Sequence, residues 1–118
     1  MQRVLVLDDN PERHAEFDRI FRGLRLDHVW TAREAIRKLD SSPRYDVAFL
    51  DYDLDRTGEP EPGCGLDVAE HVARMDARKR PRRAYVHSWN ESGRQLMANV
   101  LRAADVPTTV KRFHVGNE

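Results

Sequence analysis

Short apolar runs alternate along the chain with segments whose apolar residues recur at helical spacing. Five runs predict β-strands, at about residues 3–7, 26–30, 46–50, 83–87 and 108–110. Four amphipathic segments predict helices: from Pro11 to Gly23, from the Thr31 capping box to Leu39, from Leu66 to Lys79, and from Asn90 or Ser92 to Ala104. Strands that alternate with helices indicate an α/β domain with a parallel sheet and right-handed crossovers.

The pattern ends soon after the fifth predicted strand. Residues 112–118 are too few for a secure fifth helix, so the final helix is expected to be missing or vestigial. A parallel sheet needs cover on both faces. The tail residues Phe113 and Val115, or a second copy in a homodimer, are therefore expected to cover the face that the first helix leaves open. The length of 118 residues predicts a single domain over residues 1–118.

Composition narrows the class of protein further. The chain has 20 basic and 20 acidic residues, so its charge gives no reason to expect binding to nucleic acid or to a membrane. Cys64 is the only cysteine, which excludes an intramolecular disulfide and a cysteine-rich zinc site. No window approaches the roughly 20 apolar residues of a membrane span. A cytoplasmic protein is expected.

Polar residues stand where the predicted strands end. Asp8 and Asp9 follow the first strand and Asp51 the third. His87 and Ser88 close the fourth strand, and Lys111 follows the fifth. Parallel strands align their carboxyl ends, so one edge of the sheet is expected to collect all of these side chains. The acids suit a hard cation, most plausibly Mg²⁺. Asp51 could attack phosphorus, while Lys111 and Ser88 could bind the phosphoryl oxygens.

This ordered set resembles the receiver domain of two-component response regulators. The resemblance is carried by residues 4–10, residues 47–51, Ser88 and residues 110–113. It implies a flavodoxin-like, three-layer sandwich with strand order 2-1-3-4-5. It also implies a phosphorelay in which a histidine kinase or another phosphodonor serves Asp51. Asp8 and Asp9 would then bind the metal, Ser88 would be the switch hydroxyl, and Lys111 would contact the phosphoryl group.

The chain departs from the usual receiver pattern at several positions. Lys111 is followed by Arg112 instead of proline, and the loop after Asp51 is long. Trp89 stands where receivers carry a small residue, and it would crowd the phosphorylation pocket. An alignment shifted by one residue makes His87 the switch position and Ser88 the small residue. Both alignments stay open.

A second resemblance accounts for these departures. Part of the chain resembles a receiver-like branch proposed to process cyclic phosphates. The resemblance is carried by residues 51–54, residues 65–69 and above all the His-Ser-Trp-Asn run at 87–90. That resemblance implies a hydrolytic site in which His87 is a general acid or base. Asp53 would be a further metal ligand or would fix the loop. Asn90 would orient a phosphate or a ribose hydroxyl.

Three functions follow for the same edge of the sheet. The leading interpretation is a receiver-type signalling domain with a Mg²⁺ pocket and Asp51 as phosphoacceptor. The alternative is a metal-dependent phosphodiesterase for cyclic or nucleotide-derived phosphates, with His87 as acid and base. The third is an inactive interaction module whose pocket Trp89 blocks. Purely structural roles also stay open: a packed histidine for His87, a helix cap for Ser88 and a turn residue for Asp53.

Overall fold

The sheet has the predicted topology. The computed structural model describes residues 2–54 and 63–111, with only the backbone of Lys111. The strands are β1 (Arg3–Leu7), β2 (Arg25–Val29), β3 (Val47–Asp51), β4 (Ala84–His87) and β5 (Thr108–Lys111). All pairs are parallel, in the order β2-β1-β3-β4-β5. The α/β prediction and the strand order 2-1-3-4-5 are therefore confirmed.

Local signals set where the helices begin. The helices are α1 (Pro11–Ile20), α2 (Ala32–Ser41), α3 (Gly65–Arg74) and α4 (Glu91–Ala103), with a short 3₁₀ turn at Ala77–Lys79. The Asn10 side chain accepts the first free N–H groups of α1, and Pro11 takes the first helical position. Thr31 and Glu34 form the predicted capping box of α2. Asn90, not Ser92, caps α4.

Alternate residues of β1 face opposite sides of the sheet and define the three layers. Leu5 and Leu7 belong to the larger core, which the sheet shares with α2, α3 and α4. Val4 and Val6 belong to a smaller cluster with Phe17 of α1. Helices thus lie on both faces of the parallel sheet, as the three-layer prediction requires.

Some predicted details are wrong. The third helix ends at Arg74 and not at Lys79. The guanidinium of Arg80 donates to the carbonyl oxygens of Val72 and Ala73, so a side chain caps the helix end there. The amphipathic pattern of α4 predicts an inward-facing Leu96, yet this residue is half exposed.

Helix α1 also buries less than its pattern suggested. Its helical spacing of apolar residues predicts that Ala15 and Ile20 face the sheet, but both are exposed. Phe17 alone among its predicted core residues is fully buried. Helix α1 therefore contacts the sheet through a narrow stripe.

A groove of about 660 Å³ lies beside α1 on the less covered face. Its apolar lining includes Val47, Phe49 and Tyr85. Within the described ranges no helix follows β5, and Phe113 and Val115, which were expected to cover this face, lie outside them. None of the described helices is long and apolar enough to span a bilayer.

Candidate functional site

Three polar side chains meet where the central strands end. Asp8 follows β1 directly, Asp51 is the last residue of β3, and His87 is the last residue of β4. One ligand atom from each lies within 4.8 Å of the others. Their exposed fractions are 0%, 1% and 2%. Polar groups are rarely buried so completely unless they are paired or used, so this cluster is the candidate site.

Asp8 is held as a carboxylate by three donors. Its Oδ2 accepts hydrogen bonds from His87 Nε2 at 2.9 Å and from Arg13 Nε at 2.6 Å. Its Oδ1 accepts the backbone N–H of Asn10 at 2.9 Å. Burial acts to raise the pKa of Asp8, but the bonds from His87 and Arg13 outweigh it and keep the pKa below 3.8. Asp8 is therefore negatively charged at neutral pH.

Asp51 lies in the opposite electrostatic situation. Its Oδ1 accepts the backbone N–H of Asp53 at 3.1 Å. Its Oδ2 is buried and has no hydrogen-bond partner among the described residues. Burial, followed by the negative charge of Asp8, raises the pKa of Asp51 to about 8. At neutral pH the protonated form of this group is therefore favoured.

Arg13 is a site residue that the sequence interpretation missed. It lies in the first turn of α1, and its Nη2 is 3.6 Å from Asp51 Oδ2 and 3.9 Å from Asp9 Oδ1. Together with the bond to Asp8, one guanidinium faces three carboxylates. Its position four residues after Asp9 on a helix that begins at Pro11 was the available signal.

Ser88 ties together the loops that follow β3 and β4. Its hydroxyl donates to Asp53 Oδ2 and accepts the backbone N–H of Asn90 at 2.9 Å. Arg94 Nη1 donates to the Ser88 carbonyl oxygen at 2.7 Å. The side chain of Asp53 is consequently turned toward the β4 end of the site.

A cavity of about 100 Å³ opens at this point. It is lined by most of the predicted site residues and two others: Asp9, Arg13, Asp51, Asp53, His87, Ser88 and Trp89. Trp89 contributes to the wall and is 58% exposed. The cavity therefore gives access to Asp51 and His87 from one side.

Two predicted site residues are placed less directly. The Asn90 side chain accepts the backbone N–H of Gly93 at 2.8 Å, so it caps α4 and is not part of the cavity lining. Lys111 pairs in register with His87, but its side chain lies outside the described part of the chain. The register also places His87 directly beside Asp51, with Ser88 one residue beyond the strand.

Close packing of two helix starts holds the end of β3 in place. A Cβ atom at Gly65 would lie 2.2 Å from the carbonyl oxygen of Asp51, and one at Gly93 would lie 2.6 Å from the Tyr52 ring. Only glycine permits α3 and α4 to approach so closely. The backbone that carries Asp51 is therefore tightly packed between the first turns of these helices.

The oxygen atoms at this edge fit a divalent cation. Asp8, Asp9 and Asp51 supply carboxylates, the ligand type that Mg²⁺ prefers. The buried Asp51 Oδ2 has no hydrogen-bond partner within residues 2–54 and 63–111, which is the arrangement expected of a ligand atom. His87 orients Asp8 through Oδ2, as outer groups around metal sites do. Asp53 lines the same cavity, but its carboxylate is engaged by Ser88.

The fold is shared with solved receiver domains. A CheY-like receiver domain from Methylobacillus flagellatus is 15% identical, with a TM-score of 0.69, and the match covers 98% of this chain and 90% of that one. The response regulator TrrA from Thermotoga maritima, solved with Mg(2+)-BeF, is 24% identical, with a TM-score of 0.66 and coverages of 97% and 90%. A receiver domain of a Pseudomonas aeruginosa sensor histidine kinase, solved with magnesium in its active-site cleft, is 20% identical, with a TM-score of 0.69 and coverages of 96% and 87%.

The sequence comparison is more specific. No curated protein matches the chain. Residues 3–103 match the family model of the cyclic-phosphate processing receiver domain, a span that includes Asp8, Asp51 and His87. The variant branch expected from residues 87–90 is thereby confirmed. This chain belongs to the family of cyclic-phosphate processing receiver domains.

Proposed function

We propose that this domain is a metal-dependent phosphodiesterase that opens a cyclic phosphate ester. The observation that carries the proposal is the buried hydrogen bond between His87 and Asp8, together with the cavity that His87 and Asp51 both line. A histidine fixed by a carboxylate is a common way to position a general acid or base. The description of the family names the same class of substrate.

The proposed reaction is a hydrolysis. Water attacks phosphorus, a new P–O bond forms, one ester P–O bond of the ring breaks, and the product is a phosphomonoester with a free hydroxyl. His87 removes the proton from the attacking water and returns one to the leaving oxygen. Asp8, Asp9 and Asp51 would hold Mg²⁺, which would supply positive charge to the phosphate oxygens.

The remaining predicted residues have supporting roles in this proposal. Ser88 offers a hydroxyl to a phosphate oxygen, and Lys111 adds positive charge at the end of β5. Asp53 orients Ser88 through their hydrogen bond. Asn90 shapes the cavity by capping α4, and it contacts the substrate only if its side chain leaves that cap.

A second candidate function is favoured by Asp51 itself. Its buried Oδ2, which has no hydrogen-bond partner in the described ranges, would attack phosphorus in the way that a receiver phosphoacceptor does. With an acyl phosphate such as acetyl phosphate, a bond would form between Oδ2 and phosphorus, and acetate would leave. A histidine kinase would supply the same group from a phosphohistidine.

One pair of assays separates the two functions. The protein with Mg²⁺ is incubated with a nucleoside 2′,3′-cyclic phosphate and the phosphomonoester product is followed by ³¹P NMR. A parallel sample receives acetyl phosphate and its intact mass is measured. Ring opening without a stable mass gain supports the phosphodiesterase. A stable gain of one phosphoryl group that is lost in Asp51→Asn supports the phosphoacceptor.

Variants of two histidine–aspartate pairs provide the control. His87→Ala should abolish ring opening. His71→Ala should not, because His71 bonds Asp40 at 2.8 Å in a different part of the molecule. Equal turnover in both variants would remove the acid-base role of His87. No Mg²⁺ binding by calorimetry and neither reaction would instead support the interaction module.

A further inference from the structure

Among the described arginine and lysine side chains, Arg13 is the one that pairs with all three acids of the site, and the way it is held is unusual. Its Nε donates to Asp8 Oδ2 at 2.6 Å, while its Nη2 lies 3.6 Å from Asp51 and 3.9 Å from Asp9. Those two longer separations exceed hydrogen-bond distance. Among the described residues, the guanidinium is therefore anchored by one N–H, and its two terminal nitrogens make no hydrogen bond.

The anchoring bond uses an oxygen atom that a metal ion needs. Asp8 Oδ2 already accepts from both Arg13 and His87. A divalent cation between Asp8 and Asp51 would compete with the guanidinium for the same carboxylates and would repel its charge. Binding of such a cation would therefore favour a conformation in which Arg13 leaves Asp8 Oδ2.

The cavity provides space for the guanidinium once it leaves Asp8. The side chain of Arg13 already lines it, together with Asp9, Asp53 and Trp89, and remains 16% exposed. A planar guanidinium presents two parallel N–H groups that match two phosphate oxygens. The terminal nitrogens, which have no hydrogen bond within the described ranges, are the ones that such a contact uses.

We infer that Arg13 is a further phosphate-binding residue of this site and that it exchanges the metal-binding carboxylates for the phosphate when the cation binds. The inference rests on the proposed function in that it assumes a phosphate ligand and a divalent cation at the same edge. It adds a linkage between the two ligands. Phosphate binding gives Arg13 a new partner and therefore strengthens metal binding. Metal binding releases Arg13 and therefore strengthens phosphate binding.

The test measures binding and not turnover. Mg²⁺ affinity is determined by titration calorimetry with and without inorganic phosphate, for the unmodified protein and for Arg13→Gln. Removal of the competing cation should tighten Mg²⁺ binding about tenfold in the absence of phosphate. Phosphate should tighten Mg²⁺ binding in the unmodified protein, and this enhancement should disappear in the variant.

Two further variants separate the charge of Arg13 from its shape. Arg13→Lys keeps a cation beside Asp8 but lacks the planar pair of donors, so Mg²⁺ affinity should stay near the original while phosphate binding falls about tenfold. Arg19→Gln is the matched control on α1, because Arg19 is largely exposed and pairs with Glu16. It should change neither affinity. If Arg13→Gln fails to fold, the lysine variant still tests the phosphate contact.

Several outcomes would overturn the inference. Weaker or unchanged Mg²⁺ binding in Arg13→Gln would show that Arg13 does not compete with the cation. Undiminished phosphate enhancement in that variant would remove the phosphate contact, and absence of Mg²⁺ binding in every variant would remove both ideas. Failure of cyclic-phosphate hydrolysis, with the Mg²⁺–phosphate linkage intact, would refute only the proposed function.

Discussion

Charged groups near the two ends of the sheet are arranged in opposite ways. Near the amino end, Asp27 Oδ2 accepts from the Tyr45 hydroxyl at 2.7 Å and from Arg3 Nη2 at 3.4 Å. Asp46 accepts the backbone N–H of Arg3 at 2.8 Å. At the carboxyl end, Asp8, Asp9 and Asp51 face the single guanidinium of Arg13.

The difference is one of burial as well as of charge balance. The side chains of Asp27 and Asp46 are 14% and 30% exposed, so solvent weakens the cost of an imperfect pair. The side chain of Asp51 is 2% exposed and has one oxygen without a hydrogen-bond partner in the described part of the chain. A buried, uncompensated acid lowers stability, and such groups are concentrated at functional sites. We therefore assign the proposed chemistry to the carboxyl end of the sheet.

The largest effect is expected from Asp51→Asn. The pKa of Asp51 is about 8 in the folded protein against 3.8 as its ordinary value. Between these values the unfolded chain releases a proton that the folded protein keeps, so stability falls as the pH rises from about 4 to about 8. Asparagine does not ionise, so the Asp51→Asn variant does not lose this stability as the pH rises. We expect the variant to gain on the order of 5 kcal/mol at about pH 8, which corresponds to a difference of about four pKa units, and little at about pH 4.

Urea unfolding at the two pH values, without divalent cations, measures this difference. The matched comparison is Asp46→Asn, at the amino end, which should show no such gain on raising the pH. Parallel pH dependence in Asp51→Asn and the unmodified protein would mean that Asp51 is ionised in the folded state. The contrast between the two ends would then lose its main support.

Much of this arrangement could be predicted from the sequence. Apolar runs that end at Asp8, Asp51 and His87 are strand signals, and parallel strands necessarily bring their carboxyl ends together. The predicted convergence of the three residues is seen in the structure. The sequence left open whether His87 or Ser88 occupies the switch position, because the two residues are neighbours at a strand end and a register shift of one residue exchanges them. The strand register of the sheet shows that His87 is the residue that pairs with Asp51.

Other features depend on packing that a linear pattern does not contain. Arg94 is buried on α4 because its Nη1 donates to the Ser88 carbonyl, whereas the apolar Leu96 on the same helix is half exposed. Counting apolar positions assigns these two residues the wrong way round. Arg13 was missed for a related reason. Its role depends on Asp8 and Asp9 in the turn just before it and also on Asp51, which ends β3 and is distant from it in sequence.

A smaller effect of opposite sign is expected from Asp8→Asn. This change leaves the donors of Arg13 and His87 without their charged acceptor, and we expect a loss of about 2 kcal/mol at neutral pH. The hydrogen bonds keep the pKa of Asp8 below 3.8, so the stability that its charge supplies is present above that pH and is lost as the pH falls through the folded value.

The same unfolding experiment, extended from neutral pH to about pH 3, tests this expectation. The gap between Asp8→Asn and the unmodified protein should narrow toward the acid end. A gain in stability at neutral pH would show instead that Asp8, like Asp51, is an uncompensated acid. The two acids of the carboxyl end would then not differ in the way that their partners indicate.

The smallest effect is expected from Asp27→Asn near the amino end. An asparagine there keeps an oxygen that can accept from the Tyr45 hydroxyl, and it loses only a partly exposed ion pair with Arg3 at 3.4 Å. Pairs of this kind contribute at most about 1 kcal/mol. We expect a loss below that value, further reduced by added salt, and no change in Mg²⁺ affinity. A loss larger than that of Asp8→Asn would mean that burial does not separate the two ends of the sheet, because the more exposed acid would then matter more.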